Sequence, residues 1–477
     1  MFAALLSWRR GEPSPYIVLY VSAMALPQFG YEFIRRLKKE QACTVPDLLA
    51  LAAKNDPFYA GGKASRCQAA WFAALWERFR FPRGVHLRRI HYQVVSPGDV
   101  KKPDGTLYAN TERDWEFLDE ASKQARHLRL VDPSAFVDRR NPEPHIFLHD
   151  DALAAPRWHS VFPDWEFPRV RTDLTWDVDW QLPELQLHGY EYTEARQPFH
   201  LEVWVEKGTM DDVLLPLCQR YGVNLVTGIG FMTITSVISL LQRLLQSRKP
   251  GRLFYLSDFD PAGYAMPTSV ARHIEYQLRT GGTAHEVKLM PIALTGEQIE
   301  RYQLPRIPVK DADRRKAHFE EHHGAGAVEL DALEALYPGT LAEIVESHVV
   351  QQRDSALQKR LQRARRRATG TLRAAWEARI APYAARLEAL KAQVQEVVAR
   401  YQPQLVTLQE EMSTELHGFR EELDALRQAV EQALEALAVA LPVPPAPKVK
   451  PDTGQWLLDS ARDYLEQLKF YKLRKTT

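Results

Sequence analysis

Residues 200–263 contain the strongest structural pattern of the chain: HLEVWVEKGTMDDVLLPL occupies residues 200–217, and GRLFYLSDFDPAG occupies residues 251–263. Alternating apolar residues at 201, 203 and 205 predict a strand that ends at Glu206, and the apolar run 253–256 predicts another strand just before Asp258. Between them lie two helical patterns and a third strand at 224–227. Strands that alternate with helices form a parallel sheet, so we predict an α/β domain at residues 200–340.

Three acidic residues follow these strands: Glu206, Asp258 and Asp260. The carboxyl ends of parallel strands share one edge of a sheet, and side chains two apart on a strand point the same way. We therefore expect the three carboxylates to meet with no basic residue between them, and such a cluster repels itself unless it holds a hard cation. Its oxygen ligands favour Mg2+, with Mn2+ as the alternative, and Mg2+ held in this way acts on phosphates. The competing interpretation is a turn whose aspartate caps the next helix.

The segments VEKGTMDDVL, LVTGIG and LSDFDPAG, in this order and at this spacing, resemble the Toprim domain of the topoisomerase VI A subunit and its relatives. Those relatives include the meiotic double-strand-break protein and the nuclease subunit of bacterial plasmid-excluding condensin-like systems. The resemblance implies Mg2+-dependent DNA cleavage by a homodimer, with Glu206, Asp258 and Asp260 as metal ligands. This chain has Ile229 where the relatives tend to have lysine, and Met232 near their proline, so the contacts of that loop are not carried over.

The region before the sheet is predicted to be helical. We divide it into a disordered leader (1–27), a helical lead-in (28–83) and a winged-helix domain (84–145). The last contains a short helix in GVHLRRIHYQVVS, a second helix at about 110–130 and an extended segment at 135–138. In a winged helix the second helix usually enters a DNA groove. Arg88 and Arg89 are the predicted DNA-binding residues here.

Tyr92 ends the segment RRIHY, which resembles the family block where an aromatic pair ends in the catalytic tyrosine. His91 departs from the usual first aromatic residue. A tyrosine that attacks a phosphodiester needs its charge stabilised, which Arg88 or Arg89 would do one turn earlier. Two alternatives to a tyrosine nucleophile stay open. In the first, Tyr92 packs inside the helical domain and has no catalytic role. In the second, a metal-bound water is the nucleophile, and we favour this water mechanism.

Glu329 and Asp331 lie in AVELDALEAL, at the start of a predicted helix. Their ordinary role is to cap that helix and to interact with its dipole. Related Toprim proteins have a similar ELDAL segment, which implies a role in holding a second metal or in supporting the first. His318 and His322, four residues apart, lack the glutamate of a zinc-protease signature and are interpreted as solvated polar residues.

The C-terminal third is predicted to be a long helical arm. Apolar residues recur every three or four positions from 383 to 441, which indicates a nearly straight coiled coil or hairpin over 341–441, bent at Pro403 or Gly370. A basic tract is the candidate phosphate-binding surface, although such runs are often solvated helix faces; it contains Arg363, Arg365, Arg366 and Arg367. A proline-rich linker (442–452) and an amphipathic docking helix (453–477) follow, while residues 146–199 are predicted to be an irregular linker with short strands.

The composition of the chain limits its possible domain organisation and function. A chain of 477 residues is too long for one core, and its net charge of +1 means that any DNA-binding surface is local. Three cysteines without a CxxC pair exclude a disulfide framework and fit the cytoplasm, and no apolar run is long enough to span a membrane. We expect a Mg2+-dependent nuclease of double-stranded DNA in a bacterial defence or DNA-processing assembly. The alternatives are a topoisomerase-like subunit that acts through Tyr92 and a non-catalytic DNA-binding scaffold.

Overall fold

A computed structural model of the chain describes residues 29–138, 141–148, 155–167, 179–282, 285–401, 409–452 and 454–476. The predicted leader (1–27) and the predicted bend at Pro403 lie outside these residues. The described chain is a mixed α/β structure with fourteen helices, a five-stranded and mostly parallel sheet, and a separate two-stranded sheet. The expected α/β class and the long C-terminal helix are therefore confirmed.

The helices before the sheet are α1 (Tyr31–Glu40), α2 (Lys63–Phe79), α3 (Leu87–Val95) and α4 (Glu112–His127). The strands are β1 (Arg157–Val161), β2 (Glu184–His188), β3 (His200–Val205), β4 (Asn224–Thr227), β5 (Gly251–Leu256), β6 (Val287–Ala293) and β7 (Leu458–Asp459). The helices within and after the sheet are α5 (Asp211–Tyr221), α6 (Ile234–Ser247), α7 (Pro261–Gly281), α8 (Gly296–Tyr302), α9 (Lys316–His323), α10 (Leu330–Leu336), α11 (Thr340–Gln351), α12 (Leu357–Tyr401), α13 (Gln409–Glu435) and α14 (Tyr464–Thr476).

The main sheet has the strand order β4-β3-β5-β6-β7. Strand β3 pairs in parallel with both β4 and β5, β5 pairs in parallel with β6, and β7 is antiparallel to β6. The chain leaves β3 toward β4 on one side and later returns as β5 on the other. Connections that diverge in this way open a crevice at the carboxyl ends of the two strands, which is where α/β sheets bind ligands.

Two hydrophobic cores cover the two faces of this sheet. Trp204 and Tyr255 face the core formed with α6, α7, α14 and α1, while Val203 and Phe254 face the core formed with α5, α8, α10 and α11. Each of these four side chains is at most 1% exposed. Because the strands are buried on both faces, their sequences are almost continuous apolar runs.

The N-terminal helices divide differently from the predicted boundary at residues 83 and 84. Helix α2, predicted to belong to the lead-in, packs through Phe72 against Leu118 of α4, whereas α1 packs through Ile34 on the core of the main sheet. The reason is that the apolar faces of α2 and α4 are buried in one core, to which α3 also contributes Ile90 and Val94. Helices α3 and α4 lie where they are predicted, with a short antiparallel bridge between Lys101 and Leu107 connecting them.

The region predicted to be an irregular linker contains an antiparallel strand pair. Strand β1 pairs with β2 over all five residues of each, and Leu187 of β2 packs against Ala368 and Leu372 of α12. The strand pair therefore supports the base of the helical arm.

The arm itself is an antiparallel pair of helices. Helices α12 and α13 share a core that includes Leu390 and Leu426, together with Trp165 and Trp180 from the segments beside β1 and β2. Helix α12 continues through Gly370. The arm begins later than predicted, because α11 packs on the main sheet through Leu341, Val345 and Val349. Within the described residues, none of the helices combines the length and apolar character that crossing a bilayer requires.

The C-terminal segment differs most from its prediction as an amphipathic docking helix. It contributes β7 to the edge of the sheet, and α14 then packs into the core beneath it. Trp456, Leu458 and Tyr471 are at most 2% exposed. The apolar residues that indicated a docking surface are thus covered by the chain's own α/β domain and do not offer a surface to a partner.

Candidate functional site

Glu206 and Asp258 meet at the crevice between β3 and β5. The amide of Glu206 donates to the carbonyl of Leu256 over 3.1 Å, which extends the pairing of the two strands by one residue. Glu206 Oε2 then accepts a hydrogen bond of 3.2 Å from the amide of Asp258. The sheet register therefore brings these two acids together, as the strand pattern predicted.

Asp260 is the N-cap of α7. Its Oδ1 atom accepts a hydrogen bond of 2.6 Å from the amide of Gly263. The capping role that competed with the metal-ligand interpretation is thus present, and it fixes the Asp260 carboxylate beside the positive end of the helix dipole. The two roles are compatible, because a carboxylate has lone pairs for both a backbone amide and a cation.

The ELD segment is tied to the same edge. Phe259 and Val328 exchange backbone hydrogen bonds of 2.8 and 3.0 Å, and the amide of Leu330 donates to Asp258 Oδ1 over 2.8 Å. These bonds place Glu329 and Asp331 next to Asp258, although they are separated by about seventy residues in sequence.

A basic residue lies inside the acidic cluster, contrary to the expectation that none would. The ammonium of Lys207 lies 2.8 Å from Asp258 Oδ2, 3.1 Å from Glu329 Oε2 and 3.2 Å from Asp331 Oδ2. Sequence reasoning missed this residue because neighbouring positions on a strand point to opposite faces. The chain leaves the strand after Val205, so this rule no longer holds at Lys207. The sequence did contain one indication of this role, because Lys207 directly follows Glu206, the acid after β3.

The electrostatics of the cluster favour an added cation. Burial, together with the charges of Asp258 and Asp260, raises the pKa of Glu206 to about 7. Burial also raises the pKa of Asp258, against the opposing effects of Lys207 and the Leu330 amide. Both carboxylates are therefore harder to ionise than usual because of desolvation and mutual repulsion, which a divalent cation would relieve. The donor set, carboxylate oxygen alone, fits Mg2+ or Mn2+.

A cleft of about 1230 Å³ lies beside α7, and its lining includes none of Glu206, Asp258 and Asp260. One wall comes from α3, α4 and the segment after them, and the other comes from the first turn of α6, residues 261–273 of α7, α9 and the end of α14. Pro261, which directly follows Asp260, lines the cleft and so connects it to the acids. Six arginine and lysine residues line the cleft: Arg88, Lys123, Arg126, Arg315, Arg474 and Lys475.

The predicted DNA-binding residues are divided between two surfaces. Arg88 lines the cleft, with its guanidinium 5.0 Å from the ring of Trp115, and Arg89 is exposed on the same helix. The basic tract is exposed on α12 in the arm, away from the elements that form the cleft walls; its members are Arg363, Arg365, Arg366 and Arg367. The remaining cleft cations were missed because they come from three separate segments with no shared sequence pattern.

Tyr92 does not pack inside the helical domain. Its side chain is 52% exposed and touches the ring of His91 edge-on, at 5.2 Å between ring centroids. His91 fills the interior position instead, with hydrogen bonds of 2.6 Å to the Tyr108 hydroxyl and 3.0 Å to Asn110. The Tyr92 hydroxyl is therefore accessible to a ligand.

His318, Glu321 and His322 form an exposed group on α9. Their potential ligand atoms lie within 4.8 Å of one another, and His322 Nδ1 lies 2.8 Å from the carbonyl of His318. The exposure agrees with the prediction that the two histidines are solvated. Imidazole ligands favour zinc and other transition metals over Mg2+, so this group is distinct in chemistry from the carboxylate cluster.

Gly263, the last residue of DFDPAG, lies very close to the backbone of Asp258, the first residue of that segment. A Cβ atom at this position would lie 2.1 Å from the carbonyl oxygen of Asp258. Gly263→Ala is therefore expected to push α7 away from Asp258 and to lower the free energy of unfolding by about 1–3 kcal/mol. Denaturant unfolding followed by circular dichroism measures this change.

A matched glycine provides the control for that experiment. Gly370 is also helical, and in the described structure a Cβ there meets no atom within 4 Å. Gly370→Ala is expected to stabilise the protein by about 0.5–1 kcal/mol, because alanine loses less backbone entropy in a helix. Equal effects of the two substitutions would contradict the close approach at Asp258.

Comparisons with known proteins add no identification. A scan against models of known protein families gives no match for this chain, and a search of curated proteins gives none either. Any assignment of function therefore depends on the site itself.

Proposed function

We propose that this protein is a Mg2+-dependent enzyme that cleaves double-stranded DNA. The observation that supports this best is the meeting of Glu206 and Asp258, 3.2 Å from carboxylate oxygen to amide, at the strand-end crevice beside a cleft with six cationic side chains. Carboxylates that converge without enough positive charge suit a divalent cation, and a basic cleft beside them suits a phosphate backbone.

Glu206, Asp258 and Asp260 would hold the ion, which when bound polarises a phosphate oxygen and lowers the pKa of water. The protein's own contribution is placement. The N-cap bond from Gly263 orients Asp260, and the Leu330 amide orients Asp258. Cleft residues such as Lys123 and Arg315 would bind backbone phosphates on either side of the reacting bond.

The N-terminal helices would bind the duplex together with the α/β domain. Helices α3 and α4 supply one wall of the cleft, as expected if this part acts as a winged helix and the α/β part as a Toprim domain. We further propose a cytoplasmic homodimer with paired sites, in which the α12–α13 arm contacts the other proteins of a defence or DNA-processing assembly. We assign this role to the arm and not to α14, because the apolar residues of α14 are packed into the core of the α/β domain.

Supercoiled plasmid incubated with the purified full chain tests the proposal. Conversion to linear or nicked DNA is expected with Mg2+ and is expected to stop with a chelator. Binding without conversion, in Mg2+ and in Mn2+, would favour the scaffold alternative.

The nucleophile is tested by Tyr92→Phe. We expect near-normal cleavage and ends free of protein, because in the favoured mechanism water, and not the Tyr92 hydroxyl, would be the nucleophile. The substitution removes only the hydroxyl of an exposed ring, so folding should not change. The exposure of Tyr92 also permits the alternative, a tyrosine–DNA linkage.

Denaturing the normal protein during the reaction separates these mechanisms. DNA covalently attached to the normal protein, and absent with Tyr92→Phe, would show that the tyrosine is the nucleophile. Tyr383→Phe, on α12, is the matched control.

A further inference from the structure

The acids of the candidate centre form two groups that share Asp258. Glu206 and Asp260 belong to the first group, whose charges raise the pKa of Glu206 together with burial. Glu329 and Asp331 belong to the second group, and Lys207 bridges both of them to Asp258. Phosphoryl-transfer sites with two metals commonly hold two cations close together, one on each side of the reacting phosphate. Here the second group already contains a cation.

We propose that the Lys207 ammonium is the built-in second cation of this centre, so that the protein binds one divalent ion where its acids would otherwise hold two. This inference rests on the proposed function, because it presumes that the first group binds a metal. The three contacts of 2.8 to 3.2 Å carry it, since they surround the ammonium with three carboxylates as ligands surround an ion.

The alternative is an ordinary surface ion pair. Two features argue against it. The Lys207 side chain is only 25% exposed, and it contacts three acids from two distant segments of the chain. Isolated exposed pairs contribute little, whereas this ammonium is shared by three carboxylates, of which Asp258 is only 8% exposed. A fixed ammonium also adds positive charge beside the phosphate without any need for a second ion from solution.

Neutral substitution distinguishes these alternatives. Lys207→Met keeps most of the side-chain length but leaves Asp258, Glu329 and Asp331 without their cation. These acids are then expected to bind a divalent ion. Isothermal titration of the full chain with Mn2+, repeated with Asp258→Asn added to each protein, counts the sites that depend on Asp258. We expect one such site in the normal protein and two in Lys207→Met.

Lys288 provides a matched control. Its ammonium also bridges two acids, Asp452 and Asp459, and it is 14% exposed at the other edge of the sheet. Lys288→Met removes the same charge, and we expect the number of Asp258-dependent Mn2+ sites to stay at one. Lys207→Arg keeps the charge and is also expected to leave one site. Lys207→Gln is a second neutral variant that serves if Lys207→Met does not fold, as judged by circular dichroism.

Each outcome decides a different claim. One site in the normal protein and one in the neutral Lys207 variants would overturn the role of Lys207 but leave the proposed metal centre intact. Two sites in the normal protein would also overturn it, because the ammonium would then be displaced by the second ion. The absence of any Asp258-dependent site in the normal protein would instead contradict the proposed function.

Discussion

Asp258→Asn is expected to abolish Mg2+-dependent DNA cleavage, with a loss of rate of ~100-fold or more, because it removes the charge shared by both groups of acids. Asparagine has the shape of aspartate and still offers an oxygen to the Leu330 amide, whose bond to Asp258 measures 2.8 Å. The fold should therefore persist. Asp258→Ala is less informative, since it would leave both Lys207 and the Leu330 amide without this partner.

The rate is measured by conversion of supercoiled plasmid at saturating Mg2+, and the fold is checked by thermal unfolding. Asp212→Asn is the control, because Asp212 is an exposed acid in the first turn of α5 and its Oδ1 accepts from the neighbouring Val213 amide. We expect it to cleave normally. Undiminished cleavage by Asp258→Asn would remove this residue from the site.

Neutralising the cleft is expected to have the second large effect. Arg88, Lys123 and Arg315 line the cleft from α3, α4 and the residue before α9. Replacing all three with glutamine should weaken binding to every duplex sequence. It should also reduce the slope of log affinity against log salt by about 0.9 for each phosphate that the variant no longer neutralises. Fluorescence anisotropy at several salt concentrations measures both quantities.

The basic tract on α12 is tested in the same assay. If the arm also contacts DNA, replacing its four arginines with glutamine should reduce the salt slope relative to the normal protein. An unchanged slope would identify the tract as a solvated helix face. Arg386→Gln with Arg400→Gln is the matched control, because these exposed arginines on α12 are paired with Glu422 and Glu415. A cleft variant that binds like this control would contradict the proposed path of the DNA.

Local patterns predicted the parts of the fold that depend on neighbouring residues. The alternating and continuous apolar runs around Trp204 and Tyr255 identified the strands, and strand register alone then brought Glu206 to Asp258. The close approach of Gly263 to Asp258 is also local, because the two residues are only five positions apart in the sequence. These features need only the order and period of the chain.

Features that depend on long-range packing could not be predicted in this way. Strand β7 has two residues and pairs with a strand more than 160 residues earlier, so no period reveals it. The partnership of α2 with α4 depends on which apolar faces fit together. Lys207 reaches Glu329 and Asp331 only because Phe259 and Val328 pair across the fold. The cations of the cleft are assembled by the fold from separate segments.

The position of a bound ion distinguishes a metal centre at the strand ends from any other arrangement. Crystals of the full chain grown with Mn2+, and measured near the manganese absorption edge, would show the ion by its anomalous scattering. We expect one peak between Glu206, Asp258 and Asp260, with Lys207 still against Asp258, Glu329 and Asp331. A peak only at His318 and His322, or none at the strand ends in crystals saturated with Mn2+, would contradict a metal centre formed by these acids.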